Sequence, residues 1–104
     1  MKAGDIARRA GELVAGDREE QHGDKLANHQ AIAAIWNGYL LARVVSGQPS
    51  NLNAADVASL MELLKIARRL NGAFNVDDFI DAAGYAAVAG EIVSRHQIPS
   101  APQV

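Results

Sequence analysis

The sequence contains no cysteine, which excludes disulfide bonds and thiolate metal sites. Aromatic residues make up only 5% of the 104 residues. No stretch approaches the roughly 20 apolar residues of a membrane span, and the N-terminal MKAGDIARRAGEL lacks a signal-peptide apolar run. The formal net charge of −2 provides no basic field for nucleic acid. These absences predict a soluble cytoplasmic protein with neither membrane nor nucleic acid as its partner.

Apolar residues, by contrast, make up 49% of the chain, and alanine and leucine supply much of that share. This composition favours helices over sheets, and no strand signal, internal repeat or low-complexity region accompanies it. We predict one all-α domain over residues 1–98, resembling a four-helix bundle, with a short flexible tail at 99–104.

Capping residues and glycines predict where the four helices begin and end. Asp24, Asn53 and Asn75 suit N-cap positions, and Asp56 suits the third helical position after Asn53. Gly47 and Gly72 follow the ends of the second and third helices. The predicted helices are about Lys2–Ala15, Asp24–Val45, Asn53 to before Gly72, and Asn75–His96.

The second and third helices are apolar over much of their circumference. On the third helix only a wedge of Ala58, Glu62, Lys65 and Arg69 is expected to face solvent. Such helices need more than one neighbour, and a single short chain supplies few. We therefore expect a homo-oligomer, a dimer or larger.

The fourth helix carries two carboxylates on a face that should be buried. Asp78, Asp81 and Tyr85 are three and four residues apart, which places them on one stripe with Ala82. The helix dipole accounts for Asp78 in the first turn but not for Asp81. A buried carboxylate needs a cation, a metal or several donors, so a functional dyad and a structural Arg68–Asp81 pair are both open.

Other polar and aromatic residues allow two interpretations each. Asn28 is either a core amide bonded to backbone or an amide that reads a base. Trp36 and Tyr39 are either core residues or a stacking platform for a ligand. Lys65 and Arg68 are either ion-pair partners or phosphate contacts.

The turn GDREEQHGDK precedes the second helix. Its glycines suggest backbone amides available to an anion near that helix N-terminus. Arg18, His22 and Asp24 are therefore further candidate ligand contacts. No Walker, Rossmann, zinc or nucleophile motif is present.

Several of these pieces resemble a family of small, mostly uncharacterised proteins of tailed phages and prophages. The matching segments are GDREEQHGD, Asn28, IAAIWNGYL, DVASLMELLKIARRL and DDFIDAAGYAAVAGE, which cover about Leu13 to Glu91. This resemblance implies a phage origin and the cytoplasm of a bacterial host.

A weaker resemblance is to the all-α nucleotide pyrophosphohydrolases of the MazG type, which are helical oligomers. There an ExxE pair and a later ExxD pair hold Mg²⁺, which bridges a nucleoside triphosphate. Asp78-x-x-Asp81 is similar to the second pair and would supply the catalytic, metal-binding carboxylates. Glu62-x-x-Lys65 departs from the first pair, and Glu19, Glu20 and Asp24 do not match its spacing.

Three functional hypotheses follow. The first is a nucleotide-binding protein, with Mg²⁺-dependent hydrolysis undecided. Asp78 and Asp81 would hold Mg²⁺, Lys65 and Arg68 would contact phosphate, and Asn28 with Trp36 or Tyr39 would hold the base. The second is non-catalytic sequestration of a nucleotide-derived immune signal by a phage anti-defence protein. The third is a helical interaction module without a ligand.

Overall fold

A computed structural model describes residues 1–16 and 24–97, and these ranges contain four helices and no strand. The helices are α1 Ala3–Ala15, α2 Lys25–Val45, α3 Ala54–Arg68 and α4 Val76–Gln97. The all-α fold class is confirmed, and the helix ends lie close to those predicted. None of these helices has the length and apolar character needed to cross a bilayer. The predicted contacts Arg18 and His22, and the predicted tail, lie outside the described residues.

The capping residues act as their sequence positions predict. The Asp24 carboxylate accepts a hydrogen bond from the Ala27 amide at 2.9 Å, at the start of α2. At the start of α3, Asn53 and Asp56 form a reciprocal capping box with two bonds of 2.9 Å. Gly47 and Gly72 have φ values of 75° and 79°, which let the chain turn after α2 and α3.

Helices α2, α3 and α4 form one layer with α3 in the middle. α3 packs most extensively on α4 and less extensively on α2. Both pairs are antiparallel. Between α2 and α3, Arg43 meets Asp56 and the earlier Trp36 meets the later Leu60. Between α3 and α4, Lys65 meets Asp81 and the later Arg69 meets the earlier Phe79. Small residues, Ala67 and Ala82 among them, are buried and permit close approach of the helices.

Among residues 1–16 and 24–97, no second layer covers this one. Helix α1 makes no extensive contact with the other helices. In the described part of the chain, no large side chain is fully buried. Exposed large apolar residues occur on every helix, among them Ile6, Leu13, Leu41, Val44, Val57, Ile80 and Val88. Helical domains normally bury their apolar faces between two layers, and the described part of this chain supplies no partner for one face of the layer.

The predicted solvent-facing wedge of α3 is wrong in part. Ala58 is buried and Lys65 keeps only 15% of its side chain exposed. Val57, assigned to the apolar side, is exposed instead. The reason is that α3 packs against both α2 and α4. The polar or apolar character of its residues does not show which of its sides face these neighbours.

Candidate functional site

The inward stripe of α4 lies where its spacing predicted. Asp78 and Ala82 are buried, and Asp81 and Tyr85 are half-buried. The face with two carboxylates is therefore the face packed towards α3. The two aspartates are nevertheless in different surroundings.

Asp81 forms an ion pair with Lys65 of α3 at 3.0 Å, and its side chain is 43% exposed. The proposed Arg68–Asp81 pair is therefore wrong, because the α3–α4 register brings Lys65 rather than Arg68 opposite Asp81. Beside Asp81 an open groove runs along α4 and includes Gly84, Tyr85 and Val88. Asp81 thus lies at the edge of solvent with a cation in contact.

Asp78 is 4% exposed, one turn earlier on α4. Its carboxylate has no hydrogen bond or ion pair within residues 1–16 and 24–97. Asp78 is therefore the less satisfied member of the dyad.

Two buried polar side-chain atoms in the described ranges lack hydrogen-bond partners. They are Oδ1 of Asn28, which is 5% exposed, and Nε of Arg68. The Trp36–Leu60 bond fixes the register of the antiparallel helices α2 and α3. Asn28 lies eight residues before Trp36, and Arg68 lies eight residues after Leu60. Asn28 and Arg68 are therefore at the same height along the layer. The Lys65–Asp81 pair likewise places Arg68 level with Asp78. We call Asn28, Arg68 and Asp78 the polar level.

The opposite end of the layer holds a buried polar cluster in which every member is bonded. Asp56 accepts hydrogen bonds from the Tyr39 hydroxyl at 2.7 Å and from Arg43 Nε at 3.0 Å. Arg43 also donates to the carbonyls of Pro49 and Asn51 in the α2–α3 loop. We call Tyr39, Arg43 and Asp56 the clamp, since it ties both helices and their loop together.

The clamp shifts two pKa values. Burial alone would raise the pKa of Asp56, but hydrogen bonds from Asn53 and Tyr39 and the charge of Arg43 outweigh it. They hold the Asp56 pKa below its usual 3.8. Burial, together with the hydrogen bond to Asp56, raises the pKa of Tyr39 above its usual 10.0. Asp56 is therefore ionised and Tyr39 neutral at neutral pH.

The structure does not bring the predicted base-holding aromatics to the dyad. Tyr39 bonds Asp56, which is twelve residues from Arg68 and so about 18 Å away along α3 at 1.5 Å per residue. Trp36 donates its indole N–H to the Leu60 carbonyl at 2.8 Å, between these two ends. Both residues join α2 to α3, whereas Asn28 does lie level with the dyad.

A recess at the α3–α4 corner was missed from the sequence. Its lining includes Arg69, Gly72, Phe74, Asn75, Asp78 and Phe79, and we call it the corner recess. Phe74 and Phe79 are in contact, with ring centroids 6.1 Å apart. The Arg69 guanidinium lies 4.0 Å from the centroid of the Phe79 ring. Arg69 and Phe79 are ten residues apart in the sequence, so no local sequence pattern predicts this stacking.

The clamp arginine was also missed, although a signal existed. Arg43 follows Tyr39 by four residues and Trp36 by seven, so it lies on the same face of α2. A cation on a face that packs inward requires an anion, and Asp56 was already placed at the facing helix start.

Carboxylates and imidazoles do not gather elsewhere in the described ranges. Residues 1–16 and 24–97 contain no group of three or more His, Asp or Glu side chains placed to hold a metal. Asp24 is engaged as the α2 N-cap. Glu19 and Glu20 lie outside the described residues. Within these ranges, Asp78 and Asp81 therefore do not belong to a larger cluster of metal-binding side chains.

The fold and the site define an all-α protein in which the polar level contains buried atoms without hydrogen-bond partners. Residues 5–93 match the model of a family described as "Domain of unknown function (DUF6378)", and the chain belongs to that family.

Two relatives are phage proteins, in agreement with the predicted resemblance. The Gene 55 protein of Mycobacterium phage L5 is 40% identical over 90 residues, covering 86% of this chain and 51% of that protein. The Gene 55 protein of Mycobacterium phage D29 is 36% identical over 81 residues, covering 78% and 48%. The chain thus spans about half the length of these relatives. No solved structure matches it.

Proposed function

We propose that this chain binds a nucleotide, or a related phosphate-bearing small molecule, beside the polar level. The observation that supports it is Arg68, whose buried Nε–H has no acceptor among the described residues. An unmatched buried donor is unfavourable by about 1–3 kcal/mol, and more when charged. A guanidinium pairs with phosphate through two parallel hydrogen bonds, so a phosphate group would satisfy it.

Lys65 provides a second cation in reach of the same ligand. It lies one turn before Arg68 on α3 and currently contacts Asp81 at 3.0 Å. Its ammonium can turn from a carboxylate to a phosphate without leaving the α3–α4 surface, because its stem is flexible. Asp81 would then be the exposed carboxylate of the site, beside Tyr85.

Mg²⁺ fits this proposal as a companion of the ligand phosphates rather than as a resident ion. Magnesium commonly takes one or two protein carboxylates together with phosphate oxygens and water. Asp81 is the candidate for such a contact, since Asp78 is more deeply buried. The ion would neutralise phosphate charge near the two aspartates.

Binding without hydrolysis is the form of the proposal that the geometry favours. A cation, Lys65, faces Asp81 where the MazG-type pattern has a further carboxylate. Such a protein would sequester its ligand, for example a nucleotide-derived immune signal in the cytoplasm of a bacterial host. Hydrolysis of the pyrophosphohydrolase type is the second candidate, and the Asp78–Asp81 spacing supports it.

We also propose that the chain works as a homo-oligomer. The layer of α2, α3 and α4 is uncovered, and α1 is an amphipathic helix without an extensive intrachain contact. A second copy would supply the missing layer through the same faces. Light scattering on the purified chain tests this, and a monomer at micromolar concentration would contradict it.

Titration calorimetry with ATP, GTP, cyclic dinucleotides and sodium triphosphate, with MgCl₂ or EDTA, tests the binding proposal. We expect at least one of these to bind, and Arg68→Met to weaken it at least about tenfold, since a charged hydrogen bond is lost. Arg95→Met is the matched control, because Arg95 is exposed and pairs only with Glu91.

The fate of the ligand separates the alternatives. Intact nucleotide recovered after heat denaturation supports sequestration. Pyrophosphate or phosphate release that disappears in Asp81→Asn establishes hydrolysis instead. If none of the probes binds in either buffer, the proposal is wrong and a ligand-free interaction module is left.

A further inference from the structure

The corner recess presents aromatic surface that the core does not use. Phe74 is 81% exposed and Phe79 is 45% exposed, although both rings lie at a helix start where packing is available. Arg69 stacks on Phe79 and extends the flat surface with a cation. Exposed rings edged by a guanidinium are suited to stack on a planar heterocycle.

The recess also contains the carboxylate of a buried residue. Asp78 lines it, is 4% exposed, and has no hydrogen bond or ion pair in the ranges the structure describes. Neighbouring Asn75 is oriented by its own bond, because its Oδ1 accepts from the Asp77 amide at 3.0 Å. Carboxylate oxygens accept hydrogen bonds, so a group that presents N–H or O–H donors would complement Asp78 in the recess.

We propose that the corner recess binds a guanine base, an inference that rests on the proposed nucleotide binding. Guanine carries two adjacent N–H donors on its pairing edge, which match the two oxygens of one carboxylate. Adenine and cytosine place a ring-nitrogen acceptor beside their amino group, and uracil flanks its N–H with two carbonyls. Each of these would turn an acceptor towards Asp78, at an energetic penalty.

The recess and the phosphate contacts are at compatible positions in the fold. Asp78 belongs both to the recess and to the polar level, where the helix register places Arg68 opposite it. A base stacked at Phe74 therefore leaves its phosphates to extend towards Arg68 and Lys65. This assignment gives the two aspartates separate roles, with Asp78 at the base and Asp81 near the phosphates.

Calorimetric titration of the full chain with GTP, ATP, XTP and sodium triphosphate tests the inference. We expect GTP to bind at least about tenfold more tightly than ATP, from the penalty for an unmatched polar contact. Phe74→Ala should weaken GTP binding by about tenfold, since base stacking on an aromatic ring is lost. The same variant should bind triphosphate as before. Leu41→Ala, which removes a 65% exposed apolar residue from α2, is the control.

Asp78→Asn provides a gain-of-binding readout. The amide presents one donor and one acceptor, which match the carbonyl and N–H of xanthine. We expect this variant to lose its preference for GTP and to bind XTP more tightly than the unmodified chain does. A general loss of folding would instead remove binding of triphosphate as well.

The outcomes separate this inference from the function on which it rests. Equal binding of GTP, ATP and triphosphate, unchanged in Phe74→Ala, overturns the guanine assignment and leaves phosphate binding intact. Failure of every probe overturns both. If Phe74→Ala changes the oligomeric state in light scattering but not the GTP preference, the recess is a protein contact and the assignment is wrong.

Discussion

The buried polar groups at the two ends of the helical layer differ in whether they have hydrogen-bond partners. At one end the clamp of Tyr39, Arg43 and Asp56 satisfies its members by hydrogen bonds between α2, α3 and their loop. At the other end Asn28 and Arg68 each bury an unpartnered atom. Both ends are made from the same pair of helices, so the difference separates polar groups that are satisfied within the fold from polar groups that are not.

The largest expected effect comes from breaking the clamp. Asp56→Ala leaves Arg43 buried without its anion and removes the α3 capping box, so we expect a loss of about 3–5 kcal/mol in unfolding free energy. Urea denaturation measures it. Asp5→Ala, which removes an exposed carboxylate beside Arg8, is the control and should change stability by less than about 0.5 kcal/mol. Similar losses in both variants would contradict the role of the clamp.

Acid should weaken the clamp selectively. Because the folded-state pKa of Asp56 is below its unfolded value, its stabilisation is complete above the unfolded value. It is then lost as pH falls through the folded pKa, so stability should decline below about pH 5. Urea midpoints from pH 6 to pH 2 for the unmodified chain and for Asp56→Asn check this. Parallel declines in the two proteins would show that other carboxylates are responsible.

A smaller effect of opposite sign is expected at the polar level. Arg68→Met removes a buried donor that lacks an acceptor, so the free protein should become more stable by about 1–2 kcal/mol. Thermal and urea unfolding measure the change. A loss of stability would mean that Arg68 supports the fold, and the contrast between the two ends would then disappear.

The smallest effect is expected at the Lys65–Asp81 pair, between helices but partly open to water. With Asp81 43% exposed, solvent screening should limit the interaction to about 1 kcal/mol or less. A double-mutant cycle with Lys65→Met and Asp81→Asn, at low and high salt, isolates it. A coupling energy above about 2 kcal/mol would place this pair with the clamp instead.

Much of the fold was predictable because it depends on residues close in sequence. The caps at Asp24 and Asn53, and the stops at Gly47 and Gly72, act within one helical turn. The inward stripe of α4 follows from spacing alone, since 3.6 residues per turn place Asp78, Asp81 and Tyr85 on one side. Even the family resemblance was visible in short segments.

The partners of the site residues were not predictable in the same way. Helical spacing placed Asp81 inward, but only the rotation and axial register of α4 against α3 decided that Lys65, not Arg68, meets it. The same α3–α4 register decided that Arg69 stacks on Phe79. The register of α2 against α3 decided that Tyr39 bonds Asp56 at the far end.

The sequence by itself therefore determined four helices, their ends and the presence of carboxylates on a packed face. Each of those properties arises from contacts within a few residues. Only the tertiary structure decided which polar groups are satisfied and which are left unmatched. A hydrogen bond between helices depends on atomic positions set by packing along both helices, which no local pattern specifies.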